Sequence, residues 1–143
     1  MDRFYRGLFA GVGAGIPMNL WSIIAHSAGF GRLRYLDWAG VIIYGAPPQT
    51  LAEMAYAQLI QLIWVGLLGV LFAYLVPVIS AQGLLGKGMF FAMVSGLFIY
   101  AVPVLLQVPQ LSTLDFATVL NNHIGGLIWA VVLVWVLRRL EPN

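Results

Sequence analysis

The stretch LIWVGLLGVLFAYLVPVI, residues 62–79, runs for eighteen residues without a charged side chain. Similar apolar stretches occupy residues 7–30, 88–106 and 116–137. A helix of about 20 mostly apolar residues crosses the hydrocarbon core of a bilayer, which is roughly 30 Å thick. Of the 143 residues, 62% are hydrophobic and only 8% are charged. The sequence therefore predicts an integral membrane protein.

The fold class follows from the behaviour of the backbone in lipid. Unpaired backbone groups find no water there, so only helices or closed barrels span a membrane, and these runs lack the alternation of barrel strands. We expect an all-α bundle of four transmembrane helices in one domain, residues 1–143. The predicted spans cover about residues 7–30, 50–79, 86–107 and 115–138.

The connections between spans carry further signals. A short apolar segment between the first two spans is predicted to lie along the membrane surface, with Tyr35, Trp38 and Tyr44 among the lipid headgroups. Re-entry into the membrane is the alternative. Thr50 and Glu53 form a predicted capping box at the second span, and Ser112 and Asp115 repeat that spacing before the fourth. The repeated spacing suggests two helical hairpins in tandem.

The distribution of Lys and Arg predicts the orientation. Segments rich in these residues tend to stay cytoplasmic during insertion. At the end of the bundle that holds both termini the basic residues are Arg3, Arg6, Lys87, Arg138 and Arg139, and at the other end they are Arg32 and Arg34. We therefore expect a multi-pass protein of the cytoplasmic (inner) membrane with both termini in the cytoplasm. The net charge is only +2 and the basic residues form no continuous stripe, so we expect no nucleic-acid partner.

Small residues mark one face of the first span. Gly7, Gly11 and Gly15 form two successive small-xxx-small steps, which let another helix backbone approach closely. Asn19 and His26 follow on the same face, because a helix turns 100° per residue. The stripe predicts packing against a neighbouring span of the same chain, with a homo-oligomer contact as the alternative.

Several polar residues are expected at membrane depth in the half of the bundle away from the termini. The candidate polar or ligand-binding residues are Asn19, His26, Glu53, Asn122 and His123. Two imidazoles and a carboxylate can ligate a divalent transition metal, so His26, Glu53 and His123 are the candidate metal ligands. The same histidines are candidates for haem ligation or proton transfer.

Each of these residues also has a purely structural explanation. Glu53 fits a helix cap, since Thr50 precedes it by three residues. His26 and His123 fit hydrogen-bonded bundle residues, and Gln58 and Gln61 fit interhelical hydrogen bonds. The sequence does not identify a cofactor.

Catalytic signatures are absent from the sequence. It contains no HExxH helix, no GxSxG elbow and no Walker loop, and it has no cysteine. We therefore expect a non-enzymatic protein that acts in the lipid bilayer through helix contacts, as an accessory or assembly subunit of a membrane complex or as a small homo-oligomer. The alternatives are a ligand, metal, haem or proton site built on His26, Glu53 and His123, and a minimal oligomeric transporter or channel.

Three segments carry a resemblance to a protein group. Residues 33–39, residues 48–53 and the pair Lys87-Gly88 resemble small, uncharacterised four-helix membrane proteins of anaerobic Gram-positive bacteria. The resemblance extends over most of the chain in layout. It implies a four-helix fold and carries no assigned activity.

Overall fold

The computed structural model describes residues 1–141 and contains five helices in that range. Their bounds are α1 Arg3–Ser27, α2 Tyr35–Tyr44, α3 Leu51–Ile79, α4 Leu84–Leu105 and α5 Phe116–Arg139. The four long helices are each long and apolar enough to cross a membrane. The predicted all-α bundle with four spans is confirmed, and the short helix α2 falls between the first two spans.

The helix ends show why these segments begin where they do. The side chain of Asp2 accepts a hydrogen bond from the backbone of Tyr5 and caps α1. Thr50 and Glu53 form the predicted capping box of α3. The predicted box of Ser112 and Asp115 is wrong, because Asp115 itself is the cap residue and accepts from the backbone of Thr118. A carboxylate at that position satisfies a donor that the helix leaves unpaired.

The long helices are arranged as two hairpins. In the first hairpin α1 packs against α3, in the second α4 packs against α5, and α1 and α5 join the two. Helix α4 touches α3 only marginally, although a short loop connects them. We call the end where both termini lie the terminal end, and the opposite end, which holds α2, the loop end.

The α1–α3 contact uses the glycine stripe. A Cβ atom on Gly7 would lie 2.6 Å from the Cα of Val70, and one on Gly11 would lie 2.5 Å from the carbonyl oxygen of Val65. Helix α3 brings its own glycines, Gly66 and Gly69, to the same contact. The expected intramolecular packing is therefore present, and the glycine face is already covered within one chain.

Aromatic residues fill the centre of the bundle. The rings of Phe72, Phe91 and Trp129 form a chain of contacts from α3 through α4 to α5, with centroids 5.3 and 6.4 Å apart. The indole nitrogen of Trp129 also donates to the carbonyl oxygen of Gly11 at 3.0 Å, which fastens α5 to α1.

Helix α2 is more deeply packed than the sequence suggests. Trp38 is only 6% exposed, and its ring meets that of Tyr100 on α4. Tyr35 packs against the core of the bundle. Of the three aromatic residues assigned to the headgroup region, only Tyr44 is exposed. The predicted placement of Tyr35 and Trp38 among headgroups is wrong, because Tyr35 lies against α5 and Trp38 lies against Tyr100 of α4, so both rings are turned into the protein.

The glycine contact gives a stability prediction with a control in the same helix. We expect Gly11→Ala to lower the free energy of unfolding in detergent by about 1–3 kcal/mol, because the added methyl group overlaps α3 backbone. Nothing lies within 4 Å of a Cβ on Gly13, so Gly13→Ala should be neutral or stabilising by up to about 1 kcal/mol. Thermal unfolding followed by circular dichroism measures both. Equal stability of the two variants would contradict this packing.

Candidate polar site at the loop end

Among residues 1–141, the polar residues that are buried as a whole lie in the half of the bundle nearer the loop end. They are Asn19, Ser22, Asp37, Gln61, Thr118, Asn121 and Asn122. Polar groups at membrane depth cost free energy unless they are paired or wetted, so their partners decide what this half of the protein can do.

Asn19 joins α1 to α3. Its amide nitrogen donates to the side-chain oxygen of Gln61 at 2.7 Å and to the carbonyl oxygen of Gly15 at 2.7 Å. Gln58 donates to the same oxygen of Gln61 at 3.2 Å. The expected interhelical hydrogen bond is present for Gln61, whereas Gln58 bonds only within α3. Asn19 has a full structural explanation.

Helix α2 is tied to α1 and α5 by polar contacts at its first residue. The backbone of Tyr35 donates to the hydroxyl of Ser22 at 3.3 Å, and the Tyr35 hydroxyl donates to the carbonyl oxygen of Asn122. Gly125 makes room for this ring, since a side chain there would collide with it. Next to Ser22 on α1, the indole nitrogen of Trp21 donates to the carbonyl oxygen of Asn121 on α5 at 3.2 Å.

Two ion pairs hold the loops at this end. Arg34 pairs with Asp37 at 2.9 Å, and this carboxylate raises the pKa of the Arg34 guanidinium. Arg32 pairs with Asp115 at 3.2 Å. The hydroxyl of Thr118, 2.6 Å from the carboxylate, and more weakly Arg32 lower the pKa of Asp115. Both arginines of the loop end are therefore neutralised by partners within the protein.

Four buried polar atoms near α2 and α5 have no hydrogen-bond partner. Asn121 is 1% exposed, and both its amide nitrogen and its amide oxygen are unpaired. The side-chain oxygen of Asn122 and the indole nitrogen of Trp38 are also unpaired. A buried donor or acceptor without a partner costs about 1–3 kcal/mol, so this group favours a small polar molecule or water beside Asn121.

Each candidate metal ligand has its own hydrogen-bond partner within the protein. The Nδ1 atom of His123 lies 2.8 Å from the carbonyl oxygen of Val119, and its ring stacks on Tyr100 of α4. The Nδ1 atom of His26 lies 3.2 Å from the carbonyl oxygen of Gly31.

Glu53 is occupied in its cap, where its carboxylate accepts from the backbone of Gln49 at 2.7 Å and of Thr50. Within residues 1–141 no group of three His, Cys, Asp or Glu side chains is placed to hold a metal. The structure does not bring His26, Glu53 and His123 together as the predicted metal site requires. Haem ligation and proton transfer stay predictions.

Two features of the bundle interior were not found from the sequence. Asn121, rather than Asn122, is the side chain with no partner at either amide atom, and only the packing of α5 against α1 reveals it. The other feature is the small-residue row Gly88, Ala92 and Gly96, which lets α4 lie against α5. Its four-residue spacing is the same signal that marked α1, so the sequence contained it.

Comparison with protein-family models, curated proteins and solved structures finds no match to this chain. The resemblance to small four-helix proteins of anaerobic Gram-positive bacteria therefore stays a prediction, and the protein's role has to be argued from its own residues.

The unpaired amide of Asn121 predicts that Asn121→Leu and Asn19→Leu change the free energy of unfolding in opposite directions. We expect Asn121→Leu to raise the free energy of unfolding of the purified protein by about 1–3 kcal/mol, because it removes two unpaired buried atoms and keeps the branching of the side chain. Asn19→Leu should lower it, because two hydrogen bonds are lost. Thermal unfolding in detergent, followed by tryptophan fluorescence, measures both. A loss of stability in Asn121→Leu as large as that in Asn19→Leu would contradict an unpaired Asn121.

Proposed function

We propose that this protein is a non-enzymatic, multi-pass protein of the cytoplasmic membrane that acts through contacts of its helices, as an accessory or assembly subunit of a membrane complex or as a small homo-oligomer. Its contact surface is α4. The observation that carries the proposal is the one-sided packing of this helix, which rests on α5 and leaves most of its length uncovered by the rest of the chain.

The buried residues of α4 follow one narrow line. They are Leu84, Gly88, Ala92 and Pro103. The bulky residues of the other faces, including Phe90, Leu97 and Phe98, are exposed. Beside them an apolar cleft of about 370 Å³ opens between α3 and α4, and Leu75, Ile79 and Phe91 line part of it.

The occupant that fits this surface is a transmembrane helix. Lipid tails are as apolar as these side chains, so helix association in a bilayer depends on close packing rather than on hydrophobicity. A cleft edged by large side chains offers a partner helix more packing area than a flat helix face does. The glycine stripe of α1 cannot serve a second chain, because α3 already covers it.

Photo-crosslinking tests the contact surface, and the natural absence of cysteine allows single-cysteine variants. We expect Leu97→Cys on α4, labelled with a benzophenone maleimide in native membranes, to give one discrete crosslinked product. The mass of this product shows whether the partner is a second copy of this chain or another subunit. Ile24→Cys on α1 is the matched control, since both residues are 64% exposed. No product at position 97, or the same product at both positions, would refute α4 as the contact surface.

The orientation is part of the same proposal. Five basic residues lie at the terminal end, whereas the two at the loop end are both paired with carboxylates. Lys and Arg residues close to the ends of spans tend to stay cytoplasmic during insertion, so five basic residues against two support cytoplasmic termini.

Reporter fusions test the orientation. Green fluorescent protein fused after the last residue should fluoresce, because it folds in the cytoplasm. Alkaline phosphatase inserted after Gly45, in the loop between α2 and α3, should be active on the opposite side. A dark terminal fusion together with an inactive phosphatase insertion would reverse the assignment.

A second candidate function rests on Asn121. Its two unpaired amide atoms support binding of a small polar molecule that offers one donor and one acceptor. In native membranes such a ligand would stabilise the unmodified protein and not Asn121→Leu, so the variant would be the less stable of the two. After purification without the ligand, the variant would be the more stable one. A channel through one bundle has no such support, because Phe72, Phe91 and Trp129 fill the centre.

A further inference from the structure

A basic pocket lies at the terminal end of the bundle, outside the surfaces described above. The first turn of α1, the last turns of α3 and α5 and the start of α4 surround a cavity of about 190 Å³. Arg3 and Arg6, one helical turn apart, supply its positive charge, while Val76, Leu84 and Leu137 give it apolar walls.

The two guanidinium groups have no anionic partner among residues 1–141. The Nε atom of Arg6 is buried and has no hydrogen-bond acceptor. Arg3 lies over the ring of Tyr74, 5.7 Å from its centroid. Glu141 lines the pocket but forms no ion pair with either arginine, and the carboxylate of Asp2 caps α1.

Lys87, another basic residue near this end, is differently placed. Lys87 donates to the backbone oxygen of Ile79 and, at 3.1 Å, to the hydroxyl of Ser80, so it closes the end of α3. A buried guanidinium donor without an acceptor is costly in a site with apolar walls. The missing component is therefore an anion that enters between the helix ends.

The shape and depth of the pocket select the anion. The planar fork of arginine matches two oxygens of a phosphate group. The pocket lies within about one to two turns of the helix ends, which is the level of lipid headgroups when the four helices span a bilayer. Its apolar walls suit the glycerol and upper acyl segments that follow a lipid phosphate.

We infer that Arg3 and Arg6 bind the phosphate group of an anionic phospholipid in the leaflet at the terminal end. Basic pockets between transmembrane helices are suited to anionic headgroups. A zwitterionic lipid fits less well, because its ammonium group would face the unpaired positive charges of this end. The inference does not depend on α4 as a contact surface, and it holds for either orientation of the protein.

Native mass spectrometry of the detergent-solubilised protein tests the inference. The probes are phosphatidylglycerol and phosphatidylcholine with identical acyl chains, and inorganic phosphate. We expect phosphatidylglycerol to bind at least about ten-fold more tightly than phosphatidylcholine, and Arg6→Gln to remove about that factor. Arg138→Gln is the matched control, because it removes the same charge from the same end at an exposed residue outside the pocket. It should leave the preference unchanged.

Three results would overturn the inference. They are equal binding of the two lipids, equal effects of Arg6→Gln and Arg138→Gln, and full displacement of the lipid by millimolar inorganic phosphate, which would assign the pocket to a free ion. Arg3→Gln provides a second variant should Arg6→Gln unfold, and circular dichroism verifies that each variant is helical. Arg6→Lys should retain only part of the preference, since lysine keeps the charge without the planar fork.

Discussion

The close approach of α1 and α3 is the contact on which the rest of the structure depends. Gly7 and Gly11 meet Gly66 and Gly69 with their backbones almost touching, and no side chain larger than hydrogen fits between them. Lipid supplies no hydrophobic drive for helix association, so this area of van der Waals contact has to hold the pair together. It also sets the position of other elements, because Asn19 reaches α3 only from this distance and Trp129 bonds to the buried carbonyl of Gly11.

The loop half of the bundle has the opposite character. There α2 lies against α3, Trp38 reaches Tyr100 of α4, and the interior is lined mainly with amides, hydroxyls and aromatic rings. Most of these groups are paired, which explains how they can be buried at this depth. Asn121 is the exception, with neither amide atom satisfied within the described chain. The glycine contact therefore accounts for the stability of the fold, whereas the polar half contains the features that call for a ligand.

Charge separates the two ends of the molecule as clearly as polarity separates the two halves. Arg32 and Arg34 are paired with carboxylates at the loop end, while no carboxylate among residues 1–141 pairs with Arg3 or Arg6 at the terminal end. One physical cause underlies both the proposed orientation and the proposed lipid site. Guanidinium groups near the ends of spans tend to stay cytoplasmic during insertion, and they attract anionic headgroups.

Length, apolarity and spacing in the sequence were sufficient for the four spans, the cap at Thr50 and the small-residue face at Gly7 and Gly11, because these are local properties of a helix. The partner of that face, the burial of Trp38 and the unpaired state of Asn121 were decided only by the tertiary structure. So was the separation of His26, Glu53 and His123, which the sequence predicts in the same half of the bundle. A helical pattern determines the height and direction of a side chain on its own helix, but a binding site also requires the faces of different helices to meet, and that depends on how the helices pack.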